Sequence, residues 1–383
     1  MKKTVRTSLK IVYTGGGTSG HRAPIVAVHQ ALRRLVPNLQ AWYIGTVQDG
    51  QSADVKTLQA QKVTVRTIAA GKYRRYLTWQ NVTDLGKVWR GYWQAKRLLK
   101  ELQPDIIFAK GGFVTVPVVR AAKGLKIPVV SHESDVVMGL ANRLNAKVAR
   151  TICTAYPIEY YRGLDRTKLV WTGNLIRQEL VEAAAKKAVS ASFKIGGRTV
   201  TTDKSLIVVL GGSQGAHRIN ELIIGLLPTL AQQYRVIHQT GAGDIEWLNQ
   251  KRLQLTRPEQ QAYFPIEFMS VDQLGVVLKA ASLVVSRAGS MVSELVLFGV
   301  PTILIPLSTS AGGHQLRNAL VLENKKAARI INEGHLTARG LLAEITKVLT
   351  DTKLQQELRA GMQQLKEVSG AKKVAEILIQ NAR

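Results

Sequence analysis

Residues 206–218 read LIVVLGGSQGAHR, and far upstream residues 11–24 read IVYTGGGTSGHRAP. Each is an apolar run that breaks into glycines and gives way to a helical pattern, which is the signature of a strand, a tight turn and a helix. Around the earlier copy, β-branched runs such as AWYIGT, PDIIFAK, IPVVSHES and RTICTAYP alternate with helical segments. That alternation implies a parallel α/β arrangement. At Lys204 the pattern restarts and runs on through YRVIHQTG, SLVVSRAGS and TILIPLS. Two Rossmann-like, doubly wound domains facing a central cleft follow, with the cleft at the strand C-terminal ends. The domains are expected at 1–172 and 173–363, with a hinge near residues 171–174. Residues 364–383 are expected to form a helix that packs back on the N-terminal domain. The polar stretch GGRTVTTDK, residues 196–204, reads as a surface loop.

Composition bounds the function. At 383 residues the chain exceeds one ordinary core, and 45% hydrophobic against 21% charged residues is globular rather than disordered. Cys153 is the only cysteine, so neither a disulfide framework nor a Cys/His zinc site is expected, and a reducing compartment fits. The basic N-terminus runs into glycines after a few apolar residues, unlike a signal peptide, and no apolar run is long enough to span a bilayer. A net charge of +27 favours polyanions, anionic lipid or phosphorylated substrates without choosing among them.

Gly15, Gly17 and Gly20 satisfy GxGxxG, a pattern that lets a phosphate approach helix N-terminal amides. A nicotinamide-binding domain would close its second strand with an acid, whereas AWYIGT ends in Gly45 and Thr46, with Asp49 only in the following loop. Neither glycine turn ends in GK[ST], which removes a Walker-type hydrolase. The turns therefore read as anion sites of another kind.

Seven segments in order, GGGTSGHRAP, KGGFVTVP, HESDVVMGLANR, TGNLIR, GGSQGAHRIN, SRAGSMVSELVLFGVP and GGHQLRNA, resemble the MurG family of glycosyltransferases. The resemblance implies a GT-B fold and transfer of N-acetylglucosamine from UDP-GlcNAc to the MurNAc 4-hydroxyl of undecaprenyl-diphosphate-linked lipid I, giving lipid II. It implies inverting chemistry with no cofactor and no metal. The acceptor diphosphate is then expected at Gly15, Gly16, Gly17 and Ser19, and at Lys110, Gly111, Gly112 and Phe113. On the donor side the resemblance assigns the ribose hydroxyls to Glu294, the uracil edge to the backbone of Phe268 and Met269, and the phosphates to Ser213 and Gln214. The sugar hydroxyls fall to Gln315 with Asn318 beside it, and Thr18, Gly20, Arg177 and Arg287 complete the donor set. His21 is the implied base or phosphate contact. Two departures from the family's common GGTGGH and HEQN, Ser19 and Asp135, make Asp135 a second candidate base.

Residues 71–100 crowd Trp79, Trp89 and Trp93 among lysines and arginines. On a helix Trp89, Tyr92 and Trp93 share a side, either as an anchor for an anionic membrane surface or as a core stripe with a solvated basic edge. With a lipid-linked acceptor the anchor is favoured, which places the enzyme peripherally on the cytoplasmic face of the cell membrane. Other readings are a glycolipid glycosyltransferase or a UDP-GlcNAc 2-epimerase on the same fold. No nucleic-acid partner is expected, because no zinc finger, RRM signature or basic-region heptad accompanies the charge.

Overall fold

The structure is a computed structural model that describes residues 6–17, 19–71, 79–186, 191–212, 215–366 and 369–383, with the side chains at 19 and 79–85 outside that description. Thr18, Ser213, Gln214 and the Ser19 side chain, all expected at the site, therefore lie outside the described residues. The chain divides into two compact units, one of Met1–Gln178 with Ser369–Arg383 and one of Glu179–Val368.

The first unit holds a parallel sheet of β1 (Ser8–Thr14), β2 (Asn38–Gly45), β3 (Thr64–Thr67), β4 (Ile106–Ala109), β5 (Val129–Glu133), β6 (Thr151–Thr154) and β7 (Leu169–Trp171), in the order β3-β2-β1-β4-β5-β6-β7. Ile11 and Tyr13 point into one core with Val28 and Leu32, while Val12 points into a second with Leu99 and Val118. Both faces are covered, which is why the strand reads as one unbroken apolar run rather than an alternation. The covering helices include α1 (Ser19–Leu35), α2 (Trp79–Leu102) and α3 (Thr115–Gly124).

The C-terminal helix Ala371–Asn381 returns to this unit, burying Val374, Ala375 and Leu378 in the core that α1 lines with Ile25, Val28 and Leu32. The return is made at a glycine: the Gly370 amide donates to the Asn174 carbonyl at 2.8 Å. A Cβ at residue 370 would stand 2.6 Å from the Gly173 carbonyl oxygen, a contact that backbone cannot relieve.

The second unit carries a parallel sheet of six strands. These are β10 (Leu206–Leu210), β11 (Arg235–Gln239), β12 (Tyr263–Ile266), β13 (Leu283–Ser286), β14 (Thr302–Leu304) and β15 (Arg329–Ile330), in the order β12-β11-β10-β13-β14-β15. Ahead of it, β8 (Ser192–Ile195) and β9 (Arg198–Thr201) form an antiparallel hairpin. That corrects the reading of residues 196–204 as a loop. Ile195 and Val200 are both buried, and burying them gives this short polar stretch a reason to pair. The sheet's helices include α4 (His217–Gln233), α5 (Val292–Phe298) and α6 (His314–Asn324).

In each sheet the strand order reverses at the first strand, between β1 and β4 and again between β10 and β13. Loops leaving the C-terminal ends of such a pair splay to opposite faces and leave a crevice where ligands of doubly wound folds bind. The crevices fall at Gly15 with Lys110, and at Gly211 with Arg287.

Candidate active site

In the first unit the two glycine turns are packed into each other. The Gly16 amide donates to the Gly111 carbonyl at 3.3 Å, and a Cβ on Gly112 would sit 2.1 Å from the Gly16 oxygen. Gly112 also has φ +85°, so both backbone shape and space require glycine there. Gly17, at φ +100°, donates its amide to Asp49 Oδ1 at 3.0 Å. The amides of Gly16 and Gly17 thus have partners within the chain, and Phe113 is half-buried beside them.

His21 follows on the first turn of α1. Its ring is hydrogen-bonded to the Lys110 backbone, while its buried Nδ1 has no hydrogen-bond partner among the described residues. Burial lowers the ring's pKa to about 4, helped by the Lys110 charge and opposed by Asp135. The imidazole is neutral at pH 7, so with one nitrogen donating to backbone the other keeps a lone pair that can accept a proton.

Beneath it lies a buried charge cluster. Lys110, 1% exposed, donates to Ser134 Oγ at 2.9 Å, and Ser134 Oγ donates to Asn174 Oδ1 at 2.9 Å. Burial pulls the Lys110 pKa down while Glu133 and Asp135 push it up. Glu133 accepts from the Asp135 amide at 3.0 Å, the Gly139 amide at 3.0 Å and Asn142 Nδ2 at 2.9 Å. Burial and the neighbouring Asp135 charge raise the Glu133 pKa, against the pull of Lys110. Asp135 is half-buried, with its backbone carbonyl held by the Tyr161 hydroxyl at 2.9 Å. Lys110, expected as an acceptor contact from solvent, is instead the buried counter-charge of two carboxylates.

In the second unit the glycine turn after β10 is held by the Gly211 amide on the Gln239 carbonyl at 3.3 Å. Gly215, at φ +80°, lies so close to β11 that a Cβ would meet the Thr240 oxygen at 2.4 Å. Just beyond it starts α4, whose 17 residues aim a helix N-terminus at the turn. Gln239 bridges this turn to the next loop, its Oε1 accepting from the Met269 amide at 3.1 Å. The Met269 amide, half of the expected uracil edge, is therefore already engaged. Phe268 beside it is 46% exposed.

Glu294 lies half-buried in the first turn of α5. Gln315, at the start of α6, accepts from the Leu307 amide at 2.9 Å, and buried Asn318 donates to the Ala288 carbonyl at 3.0 Å. Arg287 is a clamp: Nη1 donates to the Ile305 carbonyl at 3.1 Å and Nη2 to Glu333 at 2.5 Å, while Glu333 also takes the Ser308 amide and hydroxyl, each at 2.9 Å. These contacts tie together the ends of β13 and β14. Arg177, assigned to the donor domain, belongs by its contacts to the first unit, as does Gly20.

Residues 11–154 match the glycosyltransferase family 28 N-terminal domain, and residues 206–375 match its C-terminal domain. A relative from Lachnospira eligens, a "UDP-N-acetylglucosamine--N-acetylmuramyl-(pentapeptide) pyrophosphoryl-undecaprenol N-acetylglucosamine transferase", is 37% identical over 344 residues, covering 89% of this chain and 91% of that one. One of the same name from Shouchella clausii is 36% identical, covering 88% and 90%. The chain belongs to the MurG family. Its fold is GT-B: the structure superposes on Acinetobacter baumannii MurG with a TM-score of 0.69 at 24% identity, covering 97% of this chain and 99% of that one. A UDP-N-acetylglucosamine 2-epimerase reaches a TM-score of 0.67 at 12% identity, covering 97% and 95%, a likeness of fold alone.

For this member of the MurG family the first unit brings together His21, Lys110, the Gly111 turn and Asp135, as expected from their motifs. Sequence reasoning passed over Glu133, Asn142 and Asn174, although each lies inside a quoted motif. Their signal was a cluster of polar residues following a strand that is otherwise apolar.

Buried histidines set a pH limit on stability. Burial lowers the pKa of His21 and of His29 to about 4 and that of His238 to about 3. An unfolded chain takes these protons near pH 6.5, the folded one only well below, so the unfolded state binds more protons in between. Stability is full above pH 6.5 and falls with pH by roughly 2 kcal/mol per site at pH 5. Tm measured from pH 7.5 to 4.5 should drop steeply below 6.5; a flat profile contradicts the neutral assignments.

Proposed function

We propose that this chain is the inverting transferase that moves N-acetylglucosamine from UDP-GlcNAc to the MurNAc 4-hydroxyl of undecaprenyl-diphosphate-linked MurNAc-peptide, lipid I, giving lipid II for peptidoglycan. The observation that carries the reading is the 37% identity to a transferase of that name along 91% of its length. His21 takes the proton of the acceptor hydroxyl as it attacks, with Asp135 supporting its basicity or acting in its place. The acceptor diphosphate is met by the N-terminus of α1 and by Gly111, Gly112 and Phe113, since the Gly16 and Gly17 amides are occupied. In the second unit Glu294 accepts from the ribose hydroxyls, Phe268 and the Met269 carbonyl meet uracil, and Gln315 reads the sugar. Charge on the departing UDP is met by the glycine turn and the N-terminus of α4, without a metal ion.

Assay of labelled UDP-GlcNAc with lipid I, with diacylglycerol and with no acceptor tests the assignment. Product with lipid I alone supports it. Transfer to diacylglycerol, or 2-epimerised UDP-sugar without acceptor, replaces it.

The acceptor's lipid tail gives α2 its role. Trp89 is 64% and Trp93 50% exposed, and with Tyr92 they form one aromatic cluster with ring centroids 5.4–6.1 Å apart. Lys96 lies over Trp93 at 5.0 Å, while Ala95, Leu99 and Leu102 face the core. Exposed aromatic rings beside a cation suit the headgroup level of an anionic bilayer, so the reading places the enzyme on the cytoplasmic membrane face. No described helix is long and apolar enough to cross a membrane. Replacing Trp89, Tyr92 and Trp93 with serine should cut sedimentation with anionic vesicles by about tenfold. Unchanged sedimentation removes the anchor.

A further inference from the structure

We infer that Asp49 is a positioning residue for the reacting end of the first unit, holding the segment that carries His21; this rests on the transferase reading above. Asp49 is 3% exposed and its two oxygens divide their work. Oδ2 serves its own turn, accepting from the Thr46 amide at 3.0 Å and the Thr46 hydroxyl at 2.7 Å as part of a capping box. Capping needs no more than that. Oδ1 reaches elsewhere in the chain, to the Gly17 amide at 3.0 Å and to Arg22 Nη1 at 3.0 Å.

Those two partners lie on either side of His21 in the chain. One carboxylate oxygen therefore holds the chain on both sides of His21, before it by the Gly17 amide and directly after it by the Arg22 guanidinium. Arg22 is itself held a second time, its Nε 3.7 Å from Asp54 Oδ2. The fit is close: a Cβ on Gly16 would stand 2.5 Å from Asp49 Oδ2 and 2.8 Å from Val114 Cγ1. The first anion this glycine turn meets is Asp49, and a charge-assisted bond to a buried carboxylate outlasts the arrival and departure of substrate.

Positioning to a fraction of an ångström governs a proton transfer, so loosening this hold acts on turnover rather than on the nucleotide. Asp49→Asn keeps an acceptor oxygen but loses the charge, and is expected to lower kcat about 10-fold; Asp49→Ala is expected to lower it about 100-fold. KM for UDP-GlcNAc should stay within about twofold in both, because the proposed uracil, ribose and sugar contacts, Phe268, Met269, Glu294 and Gln315, lie in the other unit. The discriminating measurement is a cycle with His21→Ala on the full chain. In the His21→Ala background Asp49→Asn should cost almost nothing, since the group it positions is gone. A residue that merely stabilised the fold would cost the same in either background. Full wild-type kcat in Asp49→Asn, or equal costs in both backgrounds, overturns the role while leaving the transferase reading intact. A wild-type chain that transfers no GlcNAc to lipid I overturns that reading and this role with it.

Discussion

Replacing His21 with alanine is expected to lower kcat for transfer to lipid I by about 10²- to 10⁴-fold, the span typical of losing a general base. The expectation comes from the state of the ring: neutral, tied to the Lys110 backbone, and with a buried Nδ1 that lacks a partner among the described residues. Its pKa near 4 makes it a weak base, but three of the causes are charges, Lys110 and Arg22 lowering it and Asp135 raising it. An arriving diphosphate adds negative charge and moves the pKa toward working pH. Asp135→Asn removes the supporting anion and should reduce kcat as well, by a smaller factor. Steady-state kinetics at saturating donor check both. Near-wild-type turnover in both variants removes each residue as the base.

Glu294→Ala is expected to lower kcat/KM for UDP-GlcNAc by about 100-fold with the fold intact, the cost of two hydrogen bonds to a charged acceptor. A carboxylate in the first turn of α5 has its oxygens at the helix's positive end, next to the switch point of the second sheet. A vicinal diol offers two donors to such a group. Glu294→Gln, which keeps one acceptor oxygen, should fall between. KM for lipid I should not move, and titration calorimetry with UDP should show the same loss of affinity. Wild-type kinetics would leave Glu294 as a favourable helix-start residue and nothing more.

Both sheets were readable from the chain because buried parallel strands demand continuous apolar runs, and two such runs ending in glycines mark two switch points. The β8/β9 hairpin was not readable: its polar strands owe their pairing to burial of Ile195 and Val200. Lys110 misled in the same way. A lysine beside two glycines reads as a contact for the acceptor diphosphate, and only the placement of Glu133 and Asp135 on β5 and its following loop makes it a buried counter-charge. Arg287 likewise reads as an anion contact until Glu333, far along the chain, is seen to meet it.

By itself the sequence determined what local pattern and motif order can carry: two strand–turn–helix openings, the glycines at their turns, and the family to which seven ordered segments belong. Tertiary structure decided who owns each charge and each amide. Asp49 was weighed in the sequence only as an acid too far along for a dinucleotide, and it proved to be the anion its loop was built around. The physical reason is range. Backbone conformation is set by neighbours a few residues away, whereas a buried polar group must find its partner wherever the fold brings one, here 32 residues from Gly17 and 27 from Arg22.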